Sequence, residues 1–186
     1  AGAVLESLKD ETVIFLPDEY LARNVARDAG KRIIFPSHET ASEITADYEM
    51  VGWNTRCEVH EQFTVQDIEN IRRDYPDVQI LAHPECSPEV TAAVDFAGST
   101  AAMIKFVKET AAPCYMLMTE CAMGDNIAAW HPDKEIVSAC RIRCPYMAEV
   151  TLENTLDALR YNQHAIEVPE DIRIRAVRSV ERMLAI

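Results

Sequence analysis

The sequence has no uninterrupted apolar run long enough to cross a bilayer, and it opens with no signal-peptide pattern. Positive charge is also scarce, since 18 Lys and Arg stand against 31 Asp and Glu, for a net charge of −13. A chain this acidic disfavours a broad surface for phosphate backbones. We therefore expect neither a membrane nor a nucleic acid among its partners.

An initiator Met is missing as well, and residues 1–8 have the pattern of a helix interior without a cap. We therefore expect the chain to be a fragment. Its six cysteines occur without secretory features, which favours reduced thiols or metal ligands over a disulfide framework and predicts a cytoplasmic protein. A hydrophobic fraction of 48% and a length of 186 residues suffice for one large domain or two smaller ones.

The sequence is internally repeated, and each copy closes on a cysteine. Alignment of Cys57 with Cys144 places residues 64–67 on residues 151–154, so that both cysteines precede a similarly capped helix. Such a duplication can bring several thiolates to one pseudo-symmetry axis, which suits a metal cluster. Many α/β folds, however, repeat strand–helix units for packing reasons alone.

Short apolar and β-branched runs alternate with helix signals along the chain. Strands are predicted near residues 12–16, 32–35, 50–53, 78–82, 94–96, 115–118 and 135–139. Helices are predicted near residues 19–29 and 98–109, and two further helices are predicted to begin at residues 87 and 169. Gly30 is the expected C-cap of one helix, and Ser87 is the expected N-cap of another. Strands that alternate with helices predict a parallel, multilayer α/β architecture.

Chemically versatile side chains follow three of the predicted strands, in residues 52–61, 83–86 and 140–147. In open α/β sheets, ligands collect beyond the carboxyl ends of the strands, so this placement favours function. His83 and Glu85 lie on either side of a proline that fixes the local backbone, and such a pair can exchange protons with a bound substrate near neutral pH. The alternative is structural, with His83 capping a strand and Glu85 solvating a turn.

Residues 98–100 form a Gly-Ser-Thr motif at a predicted helix start. The free N–H groups, the two hydroxyls and the positive end of the helix dipole would together bind a carboxylate or a phosphate. An ordinary N-cap explains Ser99 equally well.

The cysteines offer a choice of metal sites. Cys140 and Cys144 would form half of a zinc site, but the sequence contains no second closely spaced pair. Cys57 and Cys144, which the repeat relates, make the better pair. Cys114 lies in an apolar strand and is expected to be buried.

The C-terminal helix carries four arginines, at positions 173, 175, 178 and 182. Such a row is compatible with a nucleic-acid contact. In so acidic a chain, a solvated helix face is the favoured interpretation.

Several of these segments resemble the signature segments of quinolinate synthase in their order and spacing, and together they cover almost the whole chain. The matching segments are residues 53–61, 83–86, 95–100, 119–121, 125–128 and 144–147. The resemblance implies an enzyme of NAD biosynthesis that condenses iminoaspartate with dihydroxyacetone phosphate to quinolinate, phosphate and water. It also implies a functional link to an enzyme that produces iminoaspartate.

The resemblance further implies an α/β fold of pseudo-symmetric, repeated three-layer domains with short parallel sheets. Residues 1–56 would be the C-terminal part of the second repeat, residues 57–143 the third repeat, and residues 144–186 a helical segment returning to a first domain that this chain lacks. Each domain of the family donates one cysteine to a 4Fe-4S cluster, and Cys57 and Cys144 match two of these ligands. Three thiolates on four irons leave one iron open as a Lewis acid.

Site residues carry over by motif from the same resemblance. Glu85 and His83 match the general acid/base segment, His60 matches a histidine near the substrate, and Ser99 with Thr100 matches the hydroxyl pair that binds the substrate carboxylate. The third cluster ligand has no counterpart in this chain, so we expect the chain alone to be inactive. The alternative is a non-catalytic α/β module with a structural zinc site or no metal.

Overall fold

A computed structural model of the protein describes residues 1–8, 12–36, 48–137 and 142–186. The chain divides into two compact units, one comprising Glu11–Cys144 and the other comprising Ala1–Asp10 with Pro145–Ile186. The division of the chain into residues 1–56, 57–143 and 144–186 stays a prediction. None of the helices in the described ranges is both long enough and apolar enough to span a membrane.

The described residues form short strands and helices in alternation. The strands are β1 (Val13–Phe15), β2 (Ile33–Ile34), β3 (Met50–Gly52), β4 (Val78–Ala82), β5 (Phe96–Ala97) and β6 (Cys114–Met118). The helices are α1 (Gly2–Ser7), α2 (Glu19–Ala29), α3 (Val65–Asp74), α4 (Pro88–Ala93), α5 (Thr100–Glu109), α6 (Cys121–Trp130), α7 (Pro145–Ala148), α8 (Leu152–Tyr161) and α9 (Glu170–Leu184), and a 3₁₀ turn covers His60–Gln62.

The strands build two small parallel sheets within the larger unit. The first has the order β1-β3-β2 and the second the order β5-β4-β6. In the second sheet, Val78 pairs with Cys114 and Ala82 pairs with Met118, so β4 and β6 run side by side over their full length. Because every pairing is parallel, the carboxyl ends of the strands of each sheet meet at one edge. The predicted α/β class with short parallel sheets is confirmed.

The second sheet is covered on both faces, which makes it the middle of three layers. On one face, Ile80 and Met116 join a hydrophobic cluster with residues of α3 and α4. On the other face, Tyr115 and Leu117 join a cluster with Met103, Val107 and Ile127 of α5 and α6. Successive side chains of a strand point to opposite faces, so burial on both sides requires an almost wholly apolar strand, as β6 is.

Local signals explain where the main helices begin and end. Asp18 caps α2 by accepting a hydrogen bond from the Leu21 amide, and Gly30 ends that helix with a left-handed φ of 65°. Ser87 caps α4, and Pro88 occupies the first helical position, as predicted. The two repeat copies share one helix-capping motif, because Thr64 and Thr151 each begin a helix with a full capping box.

Two strand predictions differ from the structure. The run predicted at 94–96 appears as β5 at Phe96–Ala97, because Asp95 turns its carboxylate to the Ile80 amide, which donates a hydrogen bond to it. At the run predicted at 135–139, the described part consists of a single bridge between Tyr115 and Ile136. Residues 138–141, including Cys140, lie outside the described residues, so the proposed Cys140–Cys144 pair is not described.

Candidate active site

The candidate site lies where the strands of the second sheet end. His83 directly follows β4, and its amide donates a hydrogen bond to the Met118 carbonyl at the end of β6. Thr119 follows β6 directly, and the Gly98 amide after β5 donates to the Ala82 carbonyl. The parallel topology therefore gathers three polar segments at one edge, as is usual for ligand sites in open α/β sheets.

His60, His83 and Glu85 form a compact cluster at this edge. His60 Nδ1 lies 3.0 Å from Glu85 Oε2, and His60 Nε2 lies 2.9 Å from the Thr119 hydroxyl. The two imidazole rings stack with their centroids 4.4 Å apart. The sequence placed His60 and Glu85 in separate motifs, and the fold brings them into contact.

Hydrogen bonds and burial together determine which groups of the cluster are charged. The hydrogen bond from His60 holds the pKa of Glu85 below its usual range although burial opposes the shift, and the electrostatic influence of the two neighbouring histidines acts in the same direction. Burial lowers the pKa of His83, and the neighbouring His60 lowers it further. The Glu85 amide donates to His83 Nδ1 at 3.3 Å, so that nitrogen carries no proton in this arrangement. The cluster thus combines an ionised carboxylate with a neutral imidazole.

Cys57 lies beside this cluster, at the carboxyl edge of the first sheet. Its amide donates a hydrogen bond to Asp18 Oδ2 at 2.9 Å. Burial raises the pKa of its thiol, so the group resists ionisation until a cation approaches. The sulfur of Cys57 and one donor atom each of His60 and Glu85 lie within 4.8 Å of one another, close enough to hold one metal ion.

The comparisons with known proteins cover the whole chain. The family model described as quinolinate synthetase A protein matches residues 1–185. The chain belongs to this family. It is 45% identical over 186 residues to a quinolinate synthase of Xylella fastidiosa and 44% identical over 186 residues to quinolinate synthase 2 of Mesorhizobium japonicum. These matches span 100% of the chain but 50% and 52% of the relatives, so the chain spans about half their length.

The cysteines of this quinolinate synthase family member fall into distinct environments. Cys57 and Cys144 are free, half-buried and packed against the same hydrophobic cluster, although Cys144 is not one of the three residues grouped around the candidate metal position. Cys86 is fully buried, and burial raises the pKa of its thiol to about 12. Cys114 is buried, as predicted. Cys121 is disulfide-bonded, which differs from the expectation of reduced thiols.

The donor chemistry of Cys57 and Cys144 fits an iron–sulfur cluster. Thiolate sulfur is the usual protein ligand of such clusters, and both thiols are accessible without being fully exposed. Cys86 and Cys114 are poorer candidates for metal ligands, because burial in an apolar cluster disfavours the thiolate form. The assignment of Cys57 and Cys144 as metal ligands stays a prediction.

Ser99 and Thr100 lie at the N-terminus of α5, after β5 of the same sheet. Ser99 Oγ accepts a hydrogen bond from the Ala102 amide at 3.3 Å, so the N-cap interpretation of this residue is confirmed. Both side chains are exposed. The preceding Gly98 is required sterically, because a Cβ atom there would lie 2.6 Å from the Phe96 ring. The structure thus places these hydroxyls at the same sheet edge, and binding of a carboxylate by them stays a prediction.

Sequence reasoning missed the residues that support the site from α2. Asp18 is buried and joins the α2 N-terminus to the Cys57 amide. Next to it, the Glu19 carboxylate accepts hydrogen bonds from Arg23 and Arg56. A Pro-Asp pair before a helix signals an N-cap, but the second partner of Asp18, at Cys57, has no local sequence signal.

Proposed function

We propose that this chain carries catalytic residues of a quinolinate synthase, the enzyme that condenses iminoaspartate with dihydroxyacetone phosphate to quinolinate with loss of phosphate and water. The observation that carries the proposal is the contact of His60 with Glu85 beside Cys57, at the carboxyl edge of the second sheet. Membership of the quinolinate synthase family supplies the reaction.

We assign a separate role in proton transfer to each polar residue of the cluster. Glu85, kept ionised by His60, is the base that accepts a proton from the condensing substrate. His83, which starts neutral, takes up and returns a second proton during the dehydration steps. His60 orients the Glu85 carboxylate and links it to Thr119. Ser99 and Thr100 would bind a substrate carboxylate at the α5 N-terminus.

Cys57 and Cys144 are the proposed ligands of a 4Fe-4S cluster. When bound, a cluster with one iron free of protein ligands supplies a Lewis acid for substrate oxygen or nitrogen. Because Cys57 lies next to His60 and Glu85, a cluster held there would lie beside the residues that we assign to proton transfer. Since family members use three cysteine ligands, we expect the 186-residue chain alone to turn over no substrate.

A mononuclear zinc site is the second candidate. The Cys57, His60 and Glu85 group offers one sulfur, one nitrogen and one oxygen, and zinc accepts all three ligand types. In this alternative the residues that we assign to proton transfer would be metal ligands, and the chain would be a structural module.

Anaerobic reconstitution of the chain with iron and sulfide, followed by metal analysis, tests the two candidates. We expect iron with acid-labile sulfide and a broad brown absorbance, reduced at least severalfold in Cys57→Ala and Cys144→Ala. The control Cys114→Ala, which removes a buried thiol away from the site, should keep the cluster. Stoichiometric zinc without sulfide in the anaerobically purified chain, before reconstitution, would instead favour the structural module. Robust quinolinate formation by the chain alone would contradict the expected inactivity.

A further inference from the structure

Asn24, in the second turn of α2, reaches across from the first sheet layer to the turn that carries Glu85. Its side chain is 2% exposed. Asn24 Nδ2 donates one hydrogen bond to the Pro84 carbonyl at 2.8 Å and another to the Cys86 carbonyl at 2.9 Å. Both donor hydrogens of the amide are thereby used.

The oxygen atom of the same amide also has a hydrogen-bond partner. The Thr91 hydroxyl of α4 donates a hydrogen bond to Asn24 Oδ1 at 2.8 Å. The contacts with the Pro84 and Cys86 carbonyls settle the orientation of the amide, since a carbonyl only accepts and the amide nitrogen is the group that donates. A buried side chain with all three bonds satisfied has one favoured position, and it transmits that position to its partners.

The two carbonyls that Asn24 binds belong to the residues directly before and after Glu85. The Pro84 carbonyl lies in the peptide plane that precedes Glu85, and the Cys86 carbonyl lies in the peptide that follows Cys86, so Asn24 holds the chain on both sides of Glu85. The turn also has an internal hydrogen bond from the Cys86 amide to the His83 carbonyl, which closes it but does not anchor it to α2. Asn24 supplies that anchor.

Helix α2 contacts both parts of the candidate site. At its N-terminus, Asp18 accepts a hydrogen bond from the Cys57 amide. In its second turn, Asn24 binds the Pro84 and Cys86 carbonyls. Because an α-helix is rigid over two turns, the separation of these contacts is fixed.

We propose that Asn24 is a positioning residue that sets the Glu85 carboxylate against His60, and that α2 thereby fixes the relative position of Glu85 and Cys57. The significance of this arrangement for catalysis rests on the proposed function. The arrangement itself is a property of the chain without substrate or metal.

The test is Asn24→Asp, which keeps the size of the side chain and its acceptor for Thr91. The variant replaces the amide nitrogen by an oxygen that faces two carbonyl oxygens, so the turn should move away from α2. Imidazole ¹H–¹⁵N spectra of the metal-free chain report the result. We expect the His60 and His83 signals to shift clearly, while those of His131 and His164 stay in place as internal references.

A matched control separates positioning from loss of stability. Val107→Ala opens a cavity in the other hydrophobic cluster, away from the turn, and should lower the unfolding midpoint without moving the His60 and His83 signals. If Asn24→Asp fails to fold, Asn24→Ser removes both carbonyl contacts without adding charge and serves the same purpose.

Unchanged His60 and His83 signals in the folded Asn24 variant would overturn the proposal, as would equal shifts in Val107→Ala. The readout requires neither turnover nor a cluster. A chain that shows the expected shifts but assembles no iron–sulfur cluster on reconstitution would therefore contradict the proposed function alone.

Discussion

Glu19 is a buried acidic residue whose charge is balanced within α2 and by the loop that precedes Cys57. Its side chain is 4% exposed and lies 2.8 Å from Arg23 Nε and 3.1 Å from Arg56 Nε. The two guanidinium groups also lie over the Phe35 and Tyr20 rings. Burial of Glu19 favours its neutral form, but the hydrogen bonds from Arg23 and Arg56 outweigh this effect and lower the pKa.

Replacing Glu19 by Gln should reduce the free energy of unfolding by about 1–2 kcal/mol at neutral pH, since both arginines are partly exposed and can be solvated. A carboxyl group with a lowered pKa in the folded state stabilises the fold above its ordinary value of 4.5. This stabilisation is lost as the pH falls through the lowered pKa that Glu19 has in the folded state. Urea unfolding from pH 7 down to pH 3 should therefore show the difference between variant and parent shrinking.

An exposed pair provides the control for this prediction. Glu170 contacts Arg173 on the surface of α9, and Glu170→Gln should leave the unfolding midpoint unchanged. Equal destabilisation by the two substitutions, or a Glu19→Gln effect that grows at low pH, would contradict the assigned role of Glu19.

The two capping boxes show how one local device serves helices in different surroundings. Thr64 and Asp67 cap α3, which buries Ile68 and Ile71 in the core. Thr151 and Asn154 cap α8, which has no buried residue. The capping hydrogen bonds are equivalent, but only α3 is tied to a hydrophobic cluster.

Removing the cap hydroxyl should therefore have different consequences in the two helices. Thr64→Ala should lower the free energy of global unfolding by about 0.5–2 kcal/mol, because α3 is part of the cooperative core. Thr151→Ala should mainly fray α8, seen as a loss of helical circular dichroism before the main transition.

Serine at either position keeps the hydroxyl and provides the control. Thr64→Ser and Thr151→Ser should behave nearly like the parent chain. A Thr64→Ser variant as unstable as Thr64→Ala would show that the methyl group, rather than the cap, matters.

Elements were predicted from sequence where a local signal sufficed. The bounds of β4 agree with the prediction because an apolar run marks the strand. The bounds of α2 agree because a Pro-Asp pair precedes the helix and Gly30 ends it. Helix α8 was anticipated only through the repeat, from the likeness of residues 151–154 to residues 64–67.

At the scale of the whole molecule, contacts between distant parts of the chain were beyond sequence reasoning. The residues His60, His83 and Glu85 were each singled out, but their mutual contact depends on two loops meeting at one sheet edge. The bonds of Asn24 and Asp18 to residues far along the chain carry no local pattern. Such polar contacts follow from the packing of α2, which periodicity does not specify.

The smaller unit differs from the larger one in how much apolar surface it exposes. Along α8, Leu152, Leu156 and Leu159 recur at helical spacing and form one apolar face. Leu152 is 86% exposed and Leu159 is 78% exposed. Contiguous exposed apolar side chains of this kind bind hydrophobic probes.

The double substitution Leu152→Glu with Leu159→Lys should lower the native-state fluorescence of a bound hydrophobic dye severalfold. Its helical circular dichroism should persist, because the new charges match the α8 dipole. Gln66→Glu, at an exposed polar position of α3, is the control and should leave dye binding unchanged. Dye binding that survives the double substitution would show that the probe occupies another surface.

The second sheet has β4 at its centre, paired on both sides, and this placement determines how the site responds to thermal motion. A strand with two neighbours exposes all of its amides to solvent only when both neighbours separate from it. His83 is attached directly to the end of that strand. The residues that we propose for proton transfer are therefore anchored to the part of the sheet whose amide hydrogens should exchange most slowly.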